Sequence, residues 1–155
     1  MNQVLEEILA TLKKNKIEYQ LFEHEPVFTS SQAAKVRNLP LSLGVKSLIF
    51  MADGKPVMIV VPGDRKVAVH PFAKKFGIKD LRMATPEEVE NTVGVKIGAV
   101  HPLGNLAGIK VYADQNLGKE GKIAFNPGVH DKTLIMSFKD YLKLTDPIIG
   151  SFAKI

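Results

Sequence analysis

The sequence predicts an α+β fold: a curved, mixed, barrel-like β-sheet flanked by helices. Three observations lead to this class: amphipathic helical periodicity near the N-terminus, several short apolar or alternating strands, and helix start signals between those strands. The helices and strands do not alternate strictly, as they would around a doubly wound parallel sheet. Because the 155 residues contain no repeat and no linker-like segment, we expect residues 1–155 to form a single domain.

Helices are predicted from apolar spacing and from capping residues. Val4, Ile8 and Leu12 fall on one face of the first helix, with charges elsewhere. Thr85, followed by a proline and by Glu88 three residues later, forms a capping box. The predicted helices cover residues 3–14, 32–36, 70–76, 86–93 and 137–144.

Strands are predicted from short apolar or alternating segments bounded by turn residues. Asp53-Gly54 is a hairpin signal, because glycine accepts the positive φ that a tight turn requires. The predicted strands cover residues 17–22, 46–51, 57–61, 81–84, 109–113, 122–126 and 133–136.

The composition limits the classes of function. With no cysteine, the chain has no disulfide, no cysteine-bound metal and no thiol nucleophile. The acidic N-terminus and the lack of a long apolar run lead us to expect a cytoplasmic protein without a membrane contact. The net charge of +5 suits a partner that carries phosphates, although a solvated lysine-rich surface explains the same excess. The chain has three arginines, too few to favour sequence-specific base readout.

Three stretches carry more information than core patterning requires. Lys46 stands at the start of an apolar strand, where it either reaches to water or faces a pocket. The segment from Gly98 to Asn105 holds two glycines and a proline, whose backbone N–H groups can approach a ligand closely. In the segment 125–131, a tight turn presents His130.

Several familiar sites are missing from the sequence. It has no Gly-x-Ser-x-Gly elbow, no phosphate-binding loop of the Walker type and no dinucleotide fingerprint. The four histidines lack helical metal spacing. We therefore expect neither a metal site nor a cofactor.

Taken in order along the chain, these segments resemble the YbaK and prolyl-tRNA-synthetase-associated domain family of trans-editing aminoacyl-tRNA deacylases. The resemblance includes the stretch GVKSLIF around Lys46 and the Pro-Glu-Glu-Val helix. The other matching residues are His24, Pro26, Thr29, Ala33, Ala34, Pro62, Gly63, Asp64, Arg65, Gly98, Pro102, Gly104, Asn126, Gly128 and His130.

The resemblance implies hydrolysis of the ester that joins a wrong amino acid to the 3′-terminal adenosine of tRNA. The tRNA would be a proline tRNA or a related tRNA, and the wrong amino acid would be a small one such as cysteine or alanine. The resemblance also implies an aminoacyl-tRNA synthetase as a possible partner. Lys46, Gly98 and Gly104 would be catalytic, with the loop holding the ester carbonyl and ribose hydroxyls. His130 would line the amino-acid pocket. The substrate-binding set would comprise Thr29, Arg65, His101, Pro102, Asn126, Gly128 and His130.

The sequence leaves alternatives open for both the mechanism and the function. Lys46 acts either as a charge stabiliser, which we favour, or as a base. Asp131 and His101 are further candidates for the general base. The same residues also fit a non-catalytic module that binds tRNA ends, or a hydrolase of small aminoacyl esters. The sequence leaves the oligomeric state and the synthetase partner open.

Overall fold

The computed structural model describes residues 2–155. The helices in this range are α1 (Gln3–Lys14), α2 (Ser30–Arg37), α3 (Val69–Lys75), α4 (Pro86–Val93) and α5 (Phe138–Thr145). The strands are β1 (Tyr19–Glu23), β2 (Val45–Ala52), β3 (Lys55–Pro62), β4 (Lys66–Val67), β5 (Leu81–Met83), β6 (Lys110–Asp114), β7 (Lys122–Phe125), β8 (Lys132–Ser137), β9 (Ile148–Gly150) and β10 (Ala153–Lys154). Short 3₁₀ turns cover Leu41–Leu43 and Gly104–Ala107.

The main sheet has five strands in the order β5-β2-β3-β6-β9. β2 and β3 are an antiparallel hairpin, whereas β6 is parallel to both β3 and β9, so the sheet is mixed. β1, β8 and β7 form a second, antiparallel sheet, and β10 pairs with β4. The α+β class with a mixed sheet is confirmed, but the barrel-like closure is not found: the strands of residues 2–155 form three separate sheets, and the largest is open.

Local signals explain where the elements around the site begin and end. Asn2 caps α1, its side-chain oxygen accepting from two main-chain N–H groups of the first turn. Thr85 and Glu88 form the expected capping box of α4, and Gly94 ends that helix in the left-handed region. Asp53 and Gly54 both have positive φ in the β2–β3 turn, as a two-residue hairpin loop requires.

Three buried apolar clusters hold these elements together. One lies between α4 and the β2–β3–β6 part of the main sheet. A second joins α1 and α5 to β7 and β8, and the third, on the other face of the main sheet, is rich in aromatic residues. Each large apolar side chain fully buried in this way stabilises the fold by roughly 1.5–3 kcal/mol. β2 and α4 are thereby rigid supports for whatever lies against them.

The helices of residues 2–155 are all too short or too polar to cross a membrane.

Candidate active site

A pocket of about 480 Å³ opens between α2, the first half of β2 and the loop that follows α4. Its walls come from residues 28–31, residues 44–49 and residues 97–98, with Arg37 and Asn126 at one side. This volume lies within the range of ~300–1,000 Å³ that small-molecule sites usually have. The pocket can therefore take a group the size of a nucleoside or an amino acid.

On the edge of β2 along this pocket, no strand of residues 2–155 pairs with Ser47: Gly44, just before β2, forms an isolated bridge with Ala124 of β7, and β5 pairs only with the end of the strand. β3 pairs with the whole of β2, but β5 pairs with its residues 50–52 alone. On the β5 side, the N–H of Ala84 donates to the carbonyl oxygen of Ile49 at 3.0 Å. Because main-chain groups alternate between the two edges of a strand, the N–H and C=O of Ser47 point to the same edge as those of Ile49. They are available to a ligand.

Lys46 lines the pocket as the sequence predicts, and its ammonium is held in place. Nζ donates to the main-chain carbonyl oxygen of Arg65 at 2.9 Å. Within residues 2–155 no carboxylate lies within 4.0 Å of this ammonium. Arg65 thus contributes its carbonyl group to the site, and its side chain is not part of the pocket wall.

Arg37 is a second cation of the pocket, and the sequence reasoning missed it. Nε donates to Thr133 Oγ1 at 2.8 Å, and Nη2 donates to Asn126 Oδ1 at 3.0 Å. Burial lowers the pKa of Arg37 to about 10, which still leaves it protonated at neutral pH. A signal existed: Arg37 follows Ala33 by four residues, on the helix face that lines the pocket.

No acidic residue and no histidine lines this pocket within residues 2–155. His101, expected to bind substrate or act as a base, is buried elsewhere, and its Nδ1 accepts from the N–H of Leu103 at 3.1 Å. Burial lowers the pKa of His101 to about 4, so the ring is neutral. The carbonyl of Pro102 accepts from the Tyr141 hydroxyl at 2.8 Å. His101 and Pro102 therefore lie outside the lining of this pocket and hydrogen-bond within the protein, where they support the loop.

The two glycines of the loop have different roles. Gly98 lines the pocket with φ +91°, and its carbonyl accepts from Asn126 Nδ2 at 3.1 Å. Gly104 is buried away from the pocket, where a Cβ would lie 2.8 Å from Val111 Cγ2. Of the two glycines predicted to form a cradle, Gly98 alone lines this pocket within residues 2–155. Gly98 meets the pocket, and Gly104 is a glycine because β6 packs against it.

His130 lies behind the pocket wall instead of inside the pocket. Its ring packs on Phe28 with the centroids 4.5 Å apart, and Nε2 lies 3.1 Å from the carbonyl oxygen of Ile97, to which it donates in the matching tautomer. It borders a second, more open depression of about 530 Å³, together with Gly128 and Asp131. His130 thus supports the Ile97–Gly98 wall from outside the first pocket, and its predicted role in an amino-acid pocket stays a prediction.

Gly128 and Thr29 serve local structure. A Cβ at Gly128 would lie 2.8 Å from Val4 Cγ1, so this turn needs glycine to pack on α1. Thr29 does line the pocket, while its Oγ1 caps α2 by accepting from the N–H of Gln32 at 3.1 Å.

Large apolar side chains stand exposed at the mouth of the pocket. Phe28, Met83 and Ile97 are 61%, 53% and 50% exposed, and all three line the opening. Exposed apolar groups gathered around one opening are typical of a ligand-binding rim. These three side chains offer an apolar surface at the opening.

Residues 2–155 contain no cluster of three or more histidine or acidic side chains suited to a metal ion. The arrangement defines a class of site: a pocket with an apolar rim, two fixed cations and open main-chain groups. Such a site favours an anionic ligand, because its two cations have no acidic partner among the pocket-lining residues.

Comparison with known proteins gives the family. The sequence model of the aminoacyl-tRNA editing domain matches residues 24–144, so the chain belongs to that family. The expected class, an editing aminoacyl-tRNA deacylase, is confirmed at the level of the family.

Two full-length relatives and one solved structure illustrate the similarity. The multifunctional Ser/Thr-tRNA deacylase ProXp-y of Escherichia coli K12 is 26% identical, with 95% of this chain and 91% of that protein covered. The prolyl-tRNA editing protein ProX of Acetoanaerobium sticklandii is 29% identical, with 96% and 94% covered. A crystal structure of a candidate trans-editing enzyme for prolyl-tRNA synthetase superposes with a TM-score of 0.87 at 22% identity, over 100% of this chain and 99% of that one. This last match confirms the fold.

Part of the chain also resembles a segment of larger enzymes. The proline–tRNA ligase of Nitratidesulfovibrio vulgaris is 38% identical over 90 residues, which span 57% of this chain and 16% of the ligase.

Proposed function

We propose that residues 1–155 act as one editing domain that deacylates mischarged tRNA in trans, and that the pocket beside Lys46 holds the aminoacyl ester of the 3′-terminal adenosine. The observation that carries this proposal is the charge of the pocket: it is lined by Lys46 and Arg37 and by no acidic side chain. Two buried or half-buried cations without an acidic partner favour binding of an anion, because the ligand restores the missing counter-charge.

The elements of the pocket match the parts of an acceptor end. The exposed Phe28, Met83 and Ile97 side chains offer a surface for the terminal adenine. The guanidinium of Arg37 faces the pocket near Gly44, where it suits the last phosphodiester group. The ammonium of Lys46, held by the carbonyl oxygen of Arg65, suits the ester or a ribose oxygen.

The chemistry needs little from the protein, since an aminoacyl ester is already activated. Water attacks the ester carbonyl and forms a tetrahedral oxyanion; the bond to the ribose oxygen then breaks. The products are a free amino acid and a tRNA with a free terminal hydroxyl, which takes up the proton that the water releases. Stabilising the oxyanion is the main task, and we assign it to the Lys46 ammonium and the N–H of Gly98, since both residues line the pocket.

A charge-stabilising role for Lys46 agrees with its surroundings. Its ammonium donates a charge-assisted hydrogen bond to a carbonyl oxygen, and a neutral amine would donate only a weaker one. The candidate bases His101 and Asp131 lie outside the pocket. We therefore assign no side-chain base to the reaction: the water attacks an ester carbonyl that the Lys46 ammonium polarises.

The substrate we propose is a small wrong amino acid on a proline tRNA or a related tRNA. The names of the two full-length relatives, a prolyl-tRNA editing protein and a Ser/Thr-tRNA deacylase, support this range. The inner wall agrees, because Ile49, Val89 and Val100 narrow it with branched side chains. We extend the proposal to a cytoplasmic protein that works alongside prolyl-tRNA synthetase, since a related segment occurs within proline–tRNA ligases.

A panel of mischarged tRNAs tests the function. Each tRNA carries alanine, cysteine, serine, threonine or the correct proline, and release of the amino acid is followed over time. We expect turnover of one or more wrong pairs and none of prolyl-tRNA. Saturable binding without turnover of any pair would instead support a binding module. Equal hydrolysis of free aminoacyl esters without tRNA would support a small-ester hydrolase.

A further inference from the structure

One polar group of the pocket has no partner in the protein. Ser47 Oγ is buried, with the residue 8% exposed, and it is the one buried side-chain oxygen or nitrogen in residues 2–155 that forms no hydrogen bond. Native proteins rarely leave such groups unpaired, because burial without a hydrogen bond is costly. Ser47 lines the pocket, so a bound ligand is in a position to supply the missing partner.

The hydroxyl sits on an apolar wall. Side chains alternate along β2, so Ser47 shares a face with Val45 and Ile49, while Lys46 projects to the other face. Ile49, Ala84 and Val89 line the same pocket and belong to the buried cluster on that face. A small apolar group fits this wall, and a single hydrogen bond is available within it.

We infer that Ser47 determines amino-acid specificity by hydrogen-bonding the side-chain hydroxyl of the mischarged amino acid, so that seryl and threonyl esters are favoured over alanyl esters. The inference rests on the proposed function and adds the substrate class. A hydroxyl suits the position because it both donates and accepts, and so it pairs with Ser47 Oγ whichever way either proton points. An alanyl group would leave Ser47 unpaired, as it is in the free protein.

The α-ammonium group of the amino acid is a poorer partner for this hydroxyl. Lys46 and Arg37 make the pocket positive, which disfavours placing another cation deep inside it. The open edge of β2 also offers the Ser47 carbonyl oxygen, a stronger acceptor for an ammonium than a hydroxyl. The backbone of Ser47 can thus hold the amino group while its side chain reads the β-hydroxyl.

The test uses one tRNA body charged with serine or with alanine, and compares the parent protein with Ser47→Ala. We expect kcat/KM for the seryl substrate to fall at least about 10-fold in S47A, while the alanyl substrate stays within about twofold, because a site built for a hydroxyl discriminates against its absence. The variant removes one unpaired atom and its melting temperature should not fall. Ser42→Ala, an exposed serine outside the pocket, is the matched control and should change neither rate.

A binding measurement separates specificity from turnover. Non-hydrolysable 3′-seryl and 3′-alanyl amides of adenosine are titrated calorimetrically into both proteins. We expect the parent to prefer the seryl amide and S47A to bind the two equally. An unchanged serine-to-alanine ratio in S47A, or an equal loss on both substrates, overturns the inference and leaves the proposed function intact. If the parent hydrolyses no member of the wider panel, the proposed function fails, and the inference fails with it.

Discussion

The ammonium of Lys46 donates a 2.9 Å hydrogen bond to the main-chain carbonyl oxygen of Arg65. This bond joins the start of β2 to the segment just after β3, and so it fixes the direction of a side chain that would otherwise be flexible. The positive charge of Lys46 is therefore preorganised before substrate binds, as electrostatic stabilisation of a transition state requires.

We predict that Lys46→Ala lowers kcat/KM for deacylation by about 10²–10³-fold, the loss typical of a removed oxyanion-stabilising group. The fold should persist, because the lysine is half-buried and has no ionic partner within residues 2–155. Single-turnover deacylation and far-UV circular dichroism measure the two effects. Lys55→Ala, at the exposed turn end of the same hairpin, removes an equal charge and should keep the parental rate. Parental activity in the Lys46 variant would contradict the assignment.

Arg37→Gln should weaken tRNA binding more than it slows chemistry. We expect the KM for mischarged tRNA to rise about 10-fold and the salt dependence of binding to decrease, since one phosphate contact is lost. The protein should also lose roughly 1–3 kcal/mol of stability, because Thr133 and Asn126 lose a charged donor. Arg82→Gln is the control, as Arg82 pairs with Glu88 on the surface at 2.7 Å. A normal KM in the Arg37 variant would show that the guanidinium is structural.

Local sequence signals predicted most of the helices and strands. The elements that were missed form only through pairing with residues distant in the sequence. The first helix has the predicted bounds, and the capping box of α4 and the Asp53-Gly54 turn formed as expected. The very short strands β4, β9 and β10 were missed, because two or three residues carry no periodicity and form strands only through distant partners.

The location of a site residue could be predicted where the residue type itself restricts the surroundings that its side chain can have. Lys46 and Gly98 lie in the pocket as expected. Gly104 shows the limit: a glycine indicates that a side chain has no room, but not whether a ligand or a neighbour such as Val111 takes the space. Arg37 and Ser47 were missed as site residues because what distinguishes them is visible only in three dimensions. Arg37 lines the pocket without an acidic partner within residues 2–155, and Ser47 Oγ is buried there without a hydrogen bond.

Gly98→Ala should impair both activity and stability. A left-handed φ of +91° strains any residue with a Cβ, and that Cβ would lie 3.1 Å from His130 Nε2. The wall between the pocket and the second depression would shift, and we expect kcat/KM to fall about 10-fold or more as the oxyanion donor moves. Adding His130→Ala removes the steric conflict but not the backbone strain, so the double variant should recover part of the lost stability. Purely additive losses, measured by urea unfolding of all four proteins, would contradict this coupling.

His101 should make the protein sensitive to acid without taking part in catalysis. Burial lowers the pKa of its folded form to about 4, whereas the unfolded chain has an ordinary histidine pKa. Between those values the unfolded state binds more protons, so the free energy of unfolding falls as the pH drops from about 7 to about 4, by roughly 3 kcal/mol from this residue.

Comparison with His101→Gln isolates this contribution from the other titrating groups. The glutamine oxygen can still accept from the N–H of Leu103 but does not titrate, so its stability curve should be flatter between pH 7 and pH 4. Urea unfolding at closely spaced pH values gives both curves. Deacylation at pH 7 should stay within about threefold of the parent, because the ring lies outside the pocket. Parallel stability curves would show that the imidazole does not stay neutral, and a large loss of turnover would return His101 to the catalytic site.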